Sequence, residues 1–281
     1  SPCLECRASL SMPCPSMRTR LHPAVTTLAI LAAMLVPATA AHATAWTITD
    51  IGVLSEGPYA YSSATAINDL GQVVGISRGA TGASRAFLWT PGQGMVDLGD
   101  LPGGTDMSGA YGINNAGTVT GGSTIVYSLE GTHAFRWSAQ GGLVDLGAMP
   151  TSYYSVGVGI NAAGTIVGWT GLPAVRTTAF TQAEGGAMTL LTTPSGSSTQ
   201  ANAINDSGTV AGFTLKTNGT TRATVWSGGT RTELPDLPGG ADYSSAQAIN
   251  ADGLVVGGSG VANGGHAFVW TAAGGMVDLG D

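Results

Sequence analysis

Ala110-Tyr111-Gly112-Ile113-Asn114-Asn115-Ala116-Gly117-Thr118-Val119-Thr120-Gly121 decides the architecture, because the chain repeats it. Its core, Ile-Asn-x-x-Gly-x-Val-x-Gly or a close variant, starts at Ile67, Ile113, Ile160, Ile204 and Ile249. The five asparagines, Asn68, Asn114, Asn161, Asn205 and Asn250, are 46, 47, 44 and 45 residues apart. A period of this length marks a supersecondary unit that buries its apolar side only against its neighbours. The 281 residues therefore read as one repeat domain behind an amino-terminal leader.

Each period reads as four short strands. In the second copy these are Ser108 to Asn114, Val119 to Ser123, His133 to Trp137 and Leu143 to Gly147. Alternating small, polar and apolar residues bounded by Gly and Asn are the strand signature. The Asn-x-x-Gly turn follows from its side chains. Asn can accept from backbone N–H groups further along the turn, and Gly takes the left-handed conformation that closes a hairpin. A calcium loop would need carboxylates at fixed places. The two middle positions here are Asp-Leu, Asn-Ala, Ala-Ala, Asp-Ser and Ala-Asp, so no acid is kept.

Phe87, Phe135, Phe180 and Phe268, with Trp89, Trp137, Trp226 and Trp270 two places after that column, fall on one strand face and read as packing between layers. Arg85, His133, Thr178, Arg222 and His266 precede them, too variable a column for a metal site. The Asp-x-Gly segment at Asp50, Asp97, Asp145 and Asp278 reads as a turn-forming hydrogen bonder rather than a general acid. Glu233 replaces the Asp in the fourth copy and Thr189 in the third.

Four strands per 40–50 residues is the measure of a β-propeller blade. The expected fold is all-β: a propeller of about 45-residue four-stranded repeats, five visible, with one leftover edge strand near Trp46 to Gly52. A β-solenoid is the alternative. The leftover strand leads to the expectation that the repeat domain, residues 44–281, is truncated at its carboxy-terminal end.

Composition narrows the function. Charged residues are only 10% of the chain, Gly is 44 of 281, and 43% are hydrophobic, which fits a folded, turn-rich β protein. From Thr44 onward, seven basic and sixteen acidic side chains leave −9, and Lys216 is the sole lysine. Replacing phosphate counterions requires clustered Arg and Lys, so nucleic acid is excluded as a partner. Met17-Arg18-Thr19-Arg20, an apolar run from Ala24 to Val36, and Pro37 to Ala43 with its small residues have the layout of a cleaved signal peptide over residues 17–43. The run is too short for a stable membrane anchor, so no span is expected in the mature chain. Residues 1–16 read as an upstream segment without a structural role. They hold Cys3, Cys6 and Cys14, and one CxxC without a second pair makes no zinc site. The mature protein is expected to be exported and free of cysteine, and neither a cofactor nor a metal is called for.

Asp97-Leu98-Gly99-Asp100-Leu101-Pro102-Gly103-Gly104, followed by Gly112-Ile113-Asn114 and His133-Ala134-Phe135-Arg136-Trp137, resembles the bacterial extracellular HAF repeat family, named for His-Ala-Phe. The resemblance spans about Trp46 to Asp281 and implies export and a repeat β fold. It brings no established activity. Only the second and fifth copies keep the His.

Short uniform turns fall on one side of such a blade and variable loops on the other, where binding residues gather. On that variable rim the residue before each Ile-Asn strand is Tyr61, Met107, Tyr154, Ser198 or Tyr243. Tyr59, Tyr127, Tyr153, Trp169, Glu130 and Lys216 lie beside the column. Tyr61, Met107, Tyr127, Tyr154, Trp169 and Tyr243 are thus the candidate ligand-binding residues, against the plainer reading that they pack between blades. No catalytic residues stand out. The expected function is a secreted, non-catalytic binding or scaffold module for carbohydrate or a cell-surface protein. One alternative is a glycoside hydrolase or polysaccharide lyase on the same scaffold, drawing on Asp106, Glu130, Glu184 and Asp242. Another is a purely structural matrix repeat.

Overall fold

In the computed structural model the described residues are 47–79, 82–104, 107–125, 131–149, 152–172, 176–240 and 242–280. The signal-peptide segment, the cysteines, Tyr127, Asp106 and Glu130 lie outside them. Residues 49–281 form one compact unit. It is built of five four-stranded antiparallel sheets, each made from four consecutive strands. The first blade is β1 (Tyr61–Ile67), β2 (Val73–Arg78), β3 (Ser84–Thr90) and β4 (Gly94–Asp97). The second is β5 (Ser108–Ile113), β6 (Val119–Thr124), β7 (Thr132–Ser138) and β8 (Gly142–Asp145). The third is β9 (Ser155–Ile160), β10 (Ile166–Leu172), β11 (Arg176–Gln182) and β12 (Thr189–Leu190). The fourth is β13 (Ser198–Ile204), β14 (Val210–Leu215), β15 (Thr221–Ser227) and β16 (Thr230–Glu233). The fifth is β17 (Ser244–Ile249), β18 (Val255–Val261), β19 (Gly264–Thr271) and β20 (Gly275–Asp278).

This is the propeller arrangement, and it removes the solenoid alternative, because strands pair within a repeat rather than from coil to coil. The leftover strand is not one: residues 47–52 have no ladder partner and are not a strand. They nevertheless keep the turn of their repeat, with the Gly52 N–H donating to Asp50 Oδ1 at 2.9 Å. The same bond joins Gly99 to Asp97, Gly147 to Asp145 and Gly280 to Asp278.

The core lies between blades. One cluster joins Val74, Ala86, Leu88 and Leu98 of the first blade to Ala110, Ile113, Val119 and Phe135 of the second. Three others bridge the second to the third, the third to the fourth and the fourth to the fifth. Each of the three middle blades presents one sheet face to its predecessor and the other to its successor, so the alternation of its strands fills two interfaces.

The Ile-Asn motif makes the same connections polar. Asn161 Oδ1 accepts from the Thr165 N–H at 2.9 Å inside its own turn. Asn114 accepts from both Ala116 and Thr118, and Asn68 from Leu70 and Gln72. The turn glycines, such as Gly117 and Gly164, sit at φ 76° and 77°, where a side chain would be strained. The other end of each Asn reaches the next blade. Asn68, Asn114, Asn161 and Asn205 donate through Nδ2 to the carbonyls of Asn114, Asn161, Asn205 and Asn250, at 3.0–3.2 Å.

The final glycine of the motif has a different cause. In every inner strand the ladder slips by one residue, leaving Thr65, Tyr111, Val158, Asn202 and Gln247 bulged. Beside the bulge, a Cβ at Gly121 would lie 1.9 Å from the Gly109 carbonyl oxygen, and one at Gly168 would lie 1.8 Å from that of Val156. Only glycine fits there.

The two ends of Asn can be separated by mutation. Asn161→Asp keeps the acceptor and loses the bond to the fourth blade, a net loss of about 1–2 kcal/mol. Its Tm is expected about 3–8 °C below wild type by calorimetry. Asn250→Asp, whose Nδ2 has no next-blade acceptor among the described residues, is expected to shift Tm by less than about 2 °C.

Candidate binding site

The residue column ahead of each inner strand is held by its backbone. Met107, Tyr154 and Tyr243 form parallel bridges to Ser84, Thr132 and Thr221 at the start of the preceding blade's third strand. These bridges place the main chain of the column against the preceding blade. The side chains are another matter. Tyr61, Met107 and Tyr243 remain 47%, 42% and 51% exposed, well above what inter-blade packing requires.

Tyr61, Met107 and Tyr154, from three successive blades, meet around one cavity of about 240 Å³. Ile76, Val156 and Tyr111 supply further wall, and Ser84, Ser108, Thr124 and Thr132 also line it, the Ser108 hydroxyl being committed to the Gly99 carbonyl and the Ala86 N–H. Gly109 and Gly122 keep it open. A Cβ at Gly109 would come 3.0 Å from both Ile76 Cδ1 and the Tyr111 hydroxyl, and one at Gly122 would come 2.9 Å from Val156 Cγ2. Tyr61, Ser108 and Gly109 lie at the starts of β1 and β5, and Met107 and Tyr154 just before β5 and β9. Thr124 lies at the end of β6, and Ser84 and Thr132 at the starts of β3 and β7, so the cavity lies on the side of the long, variable loops.

Trp169 does not line the cavity but backs it. Its ring stacks on Tyr154 with centroids 4.9 Å apart and planes 15° from parallel, an arrangement that fixes the tyrosine at little entropic cost. Tyr243 is not part of this site. It borders a separate hollow on the fifth blade with Gly258, Ser259, His266 and Ala267. The six-residue rim therefore divides: Tyr61, Met107 and Tyr154 converge, Trp169 supports them, Tyr243 stands apart, and Tyr127 lies outside the described residues.

Tyr111 is the residue the column reading missed. It sits at the bulge, a place that re-aims a side chain. In the other blades the bulged residue is Thr65, Val158, Asn202 or Gln247. Thr65 and Asn202 use it to bond the next blade, donating to the carbonyls of Ala110 and Ala246 at 2.6 and 2.7 Å. Tyr111 instead lines the cavity. An aromatic where the other copies have none was the available signal.

Several other candidates are committed elsewhere. Lys216 pairs with Glu233 at 2.7 Å, and Arg231 donates to the same carboxylate at 2.8 Å. Burial pushes the Glu233 carboxyl upward, but these hydrogen bonds and charges outweigh it and hold the group below its ordinary value. Asp242 is bound to Arg222 at 2.6 Å. Glu184 lies beside the buried guanidinium of Arg136, whose pKa burial lowers and Glu184 raises. The histidine column pairs basic side chains with carboxylates. His133 meets Asp145, His266 meets Asp278, Arg85 meets Asp100 and Arg222 meets Asp236. Both histidines are half-buried rather than exposed.

Fold and cavity define a β-propeller with an aromatic-walled hollow on its variable face. No protein-family model matches the sequence, and no curated protein matches it. Among solved structures, the chain is similar to a protein assigned as TolB from Agrobacterium tumefaciens. That match has 12% identity and a TM-score of 0.55, covering 79% of this chain and 81% of the other. It is also similar to the β-propeller domain of the Trilobed protease from Pyrococcus furiosus, at 13% identity and TM-score 0.51, covering 78% and 69%. These likenesses establish the propeller fold.

Tyr111 and Tyr154 give the cavity a titration signature. Burial raises both phenols above the ordinary value of 10.0, and for Tyr154 the neighbouring Tyr111 adds to the rise. The unfolded chain releases these protons first, so both shifts withdraw stability as pH climbs above 10. Tyr111→Phe is expected to lower the Tyr154 titration midpoint, read by NMR of ring-labelled tyrosine.

Proposed function

We propose that the chain is a secreted, non-catalytic propeller of the HAF repeat kind whose cavity between the first three blades binds carbohydrate. The observation that carries this reading is the meeting of Tyr61, Met107 and Tyr154 around a hollow that also holds hydroxyls. Aromatic faces cover the C–H faces of a sugar ring while hydroxyl groups exchange hydrogen bonds with its edge. The cavity is smaller than the 300–1,000 Å³ of typical drug-sized sites, which suits a single sugar unit at the end or branch of a glycan. Trp169 behind Tyr154 pre-orients one wall and reduces the ordering cost of binding.

Among the described residues the lining contains rings, methyl groups and hydroxyls. Export is supported by the signal-like segment at residues 17–43. Among the described residues no helix is long and apolar enough to cross a membrane.

A glycan array probed with the mature domain tests the reading. Tyr154→Ala and Tyr61→Ala are each expected to weaken the recognised glycan about tenfold, the equivalent of about 1.4 kcal/mol. Tyr243→Ala is expected to leave binding unchanged. Glycan binding that survives both cavity substitutions, or an array with no binder while a protein partner is captured and lost on Tyr154→Ala, overturns the carbohydrate assignment.

A further inference from the structure

Four interfaces join five blades, and they share one set of polar contacts. The Asn Nδ2 of each blade donates to the Asn carbonyl of the next, as described above. On the same face, the N–H groups of Ala86, Ala134, Ala179 and Ala223 donate to the hydroxyls of Ser108, Ser155, Thr199 and Ser244 at 2.8–3.0 Å. In both contacts the earlier blade gives the proton and the later blade accepts it.

The fifth blade has the donors and the first blade has the acceptors, and among the described residues no such inter-blade bond joins them, the Asn68 carbonyl accepting from the Gly71 N–H of its own turn at 3.0 Å. Asn250 is exposed, as is Ala267, whereas the four alanines of its column are fully buried. Val256 is 36% exposed, whereas Val74, Thr120, Val167 and Ala211 in its column are at 0%. A Cβ at Gly122 would touch Val156 of the following blade, but one at Gly258 would meet only its own blade's His266 carbonyl at 4.0 Å. On the first blade, Ala64 is exposed where Ala110, Ala201 and Ala246 are buried. Ser62 Oγ donates to the Gly52 carbonyl at 2.7 Å, as Ser108 and Ser155 donate to Gly99 and Gly147. Its acceptor side is unoccupied among the described contacts. Packing between successive inner strands runs from β1 through β5, β9 and β13 to β17, and no comparable packing joins β17 to β1.

Residues 47–54 identify what fits. They hold the place that an outer strand and its crossing hold before every later blade: the Asp50–Gly52 turn is formed, and the Leu54 N–H donates to Ser77 Oγ at 3.0 Å. Leu101 and Leu237 do the same to Ser123 and Ser259. Yet Ile48, in the register of Met95, Leu143 and Met276, is fully exposed. A second copy docking through its first blade does not fit, since its own residues 49–54 already occupy the position that β20 of the fifth blade would bring.

We propose that the uncovered faces of the fifth and first blades receive the three inner strands of a sixth repeat, entering from β20, with residues 47–50 as its fourth strand. The unit is defined by its chemistry. It brings a Ser or Thr hydroxyl to Ala267, an Asn carbonyl to Asn250, an Ala N–H to Ser62 and an Asn side chain to the Asn68 carbonyl. It also closes the hollow at Tyr243 as the third blade closes the one at Met107.

The test is to lengthen the chain after Asp281 by a copy of Leu237–Thr271 and compare it with the original chain. Hydrogen exchange is expected to show the amides of residues 47–50 protected at least tenfold more strongly, with a higher Tm. Asn250→Asp, nearly silent in the original chain, is expected to lower Tm in the lengthened chain as much as Asn161→Asp does. A lengthened chain that melts lower, or that leaves residues 47–50 exchanging freely, overturns the proposal. So does the original chain if it closes on itself, shown by a disulfide between Asn68→Cys and Asn250→Cys. Stable dimers of the original chain that Ala267→Arg dissociates overturn it equally.

Discussion

The side chain of the repeated asparagine links the two scales of this molecule. Its oxygen accepts backbone N–H groups and so shapes the hairpin between the first two strands of a blade. Its nitrogen donates to the corresponding carbonyl one blade further on. Because one planar amide carries both functions, turn geometry and blade spacing cannot vary independently. The amides are buried in the first four blades, where a lost partner is costly. Aspartate offers only acceptors, and serine is too short to serve both partners.

With the blades tied at that point, the apolar residues need only be small and regular. The column Ala86, Ala134, Ala179 and Ala223 is fully buried beside Phe87, Phe135, Phe180 and Phe268, and the motif's last glycine admits the close pass of the bulged inner strand. Residues 44–281 have few charges and no cysteine, so cohesion comes from many repeats of one modest interface. Stability in such an array is close to a sum of nearest-neighbour terms, which makes the blades at either end the least supported.

The cavity forms where the columns break. In the bulge column, Thr65 and Asn202 serve cohesion between blades, while Tyr111 at the equivalent place turns to the cavity. Tyr154 is buttressed by a tryptophan that follows Gly168, a position that is Ile76, Gly122, Phe213 and Gly258 in the other blades. The repeat thus supplies a rigid frame, and substitutions in a few columns of the first three blades give that frame one distinctive hollow.

The sequence by itself determined the four strands of each repeat, the turn at each Asn-x-x-Gly and the side on which variable residues gather. Those features follow from local geometry: alternation along a strand, the left-handed preference of glycine and the reach of an asparagine oxygen over two to four residues. It also singled out the column of Tyr61, Met107 and Tyr154. Tertiary structure decided which members of that column meet, because Tyr61, Met107 and Tyr154 lie on successive blades while Tyr243 lies on the fifth. It likewise decided that Asn donates across 44 to 47 residues and that Tyr111 is aimed into the hollow by a one-residue ladder slip. Neither blade-to-blade distance nor a bulge has a signature within a single repeat, so both became visible only once the sheets were set side by side.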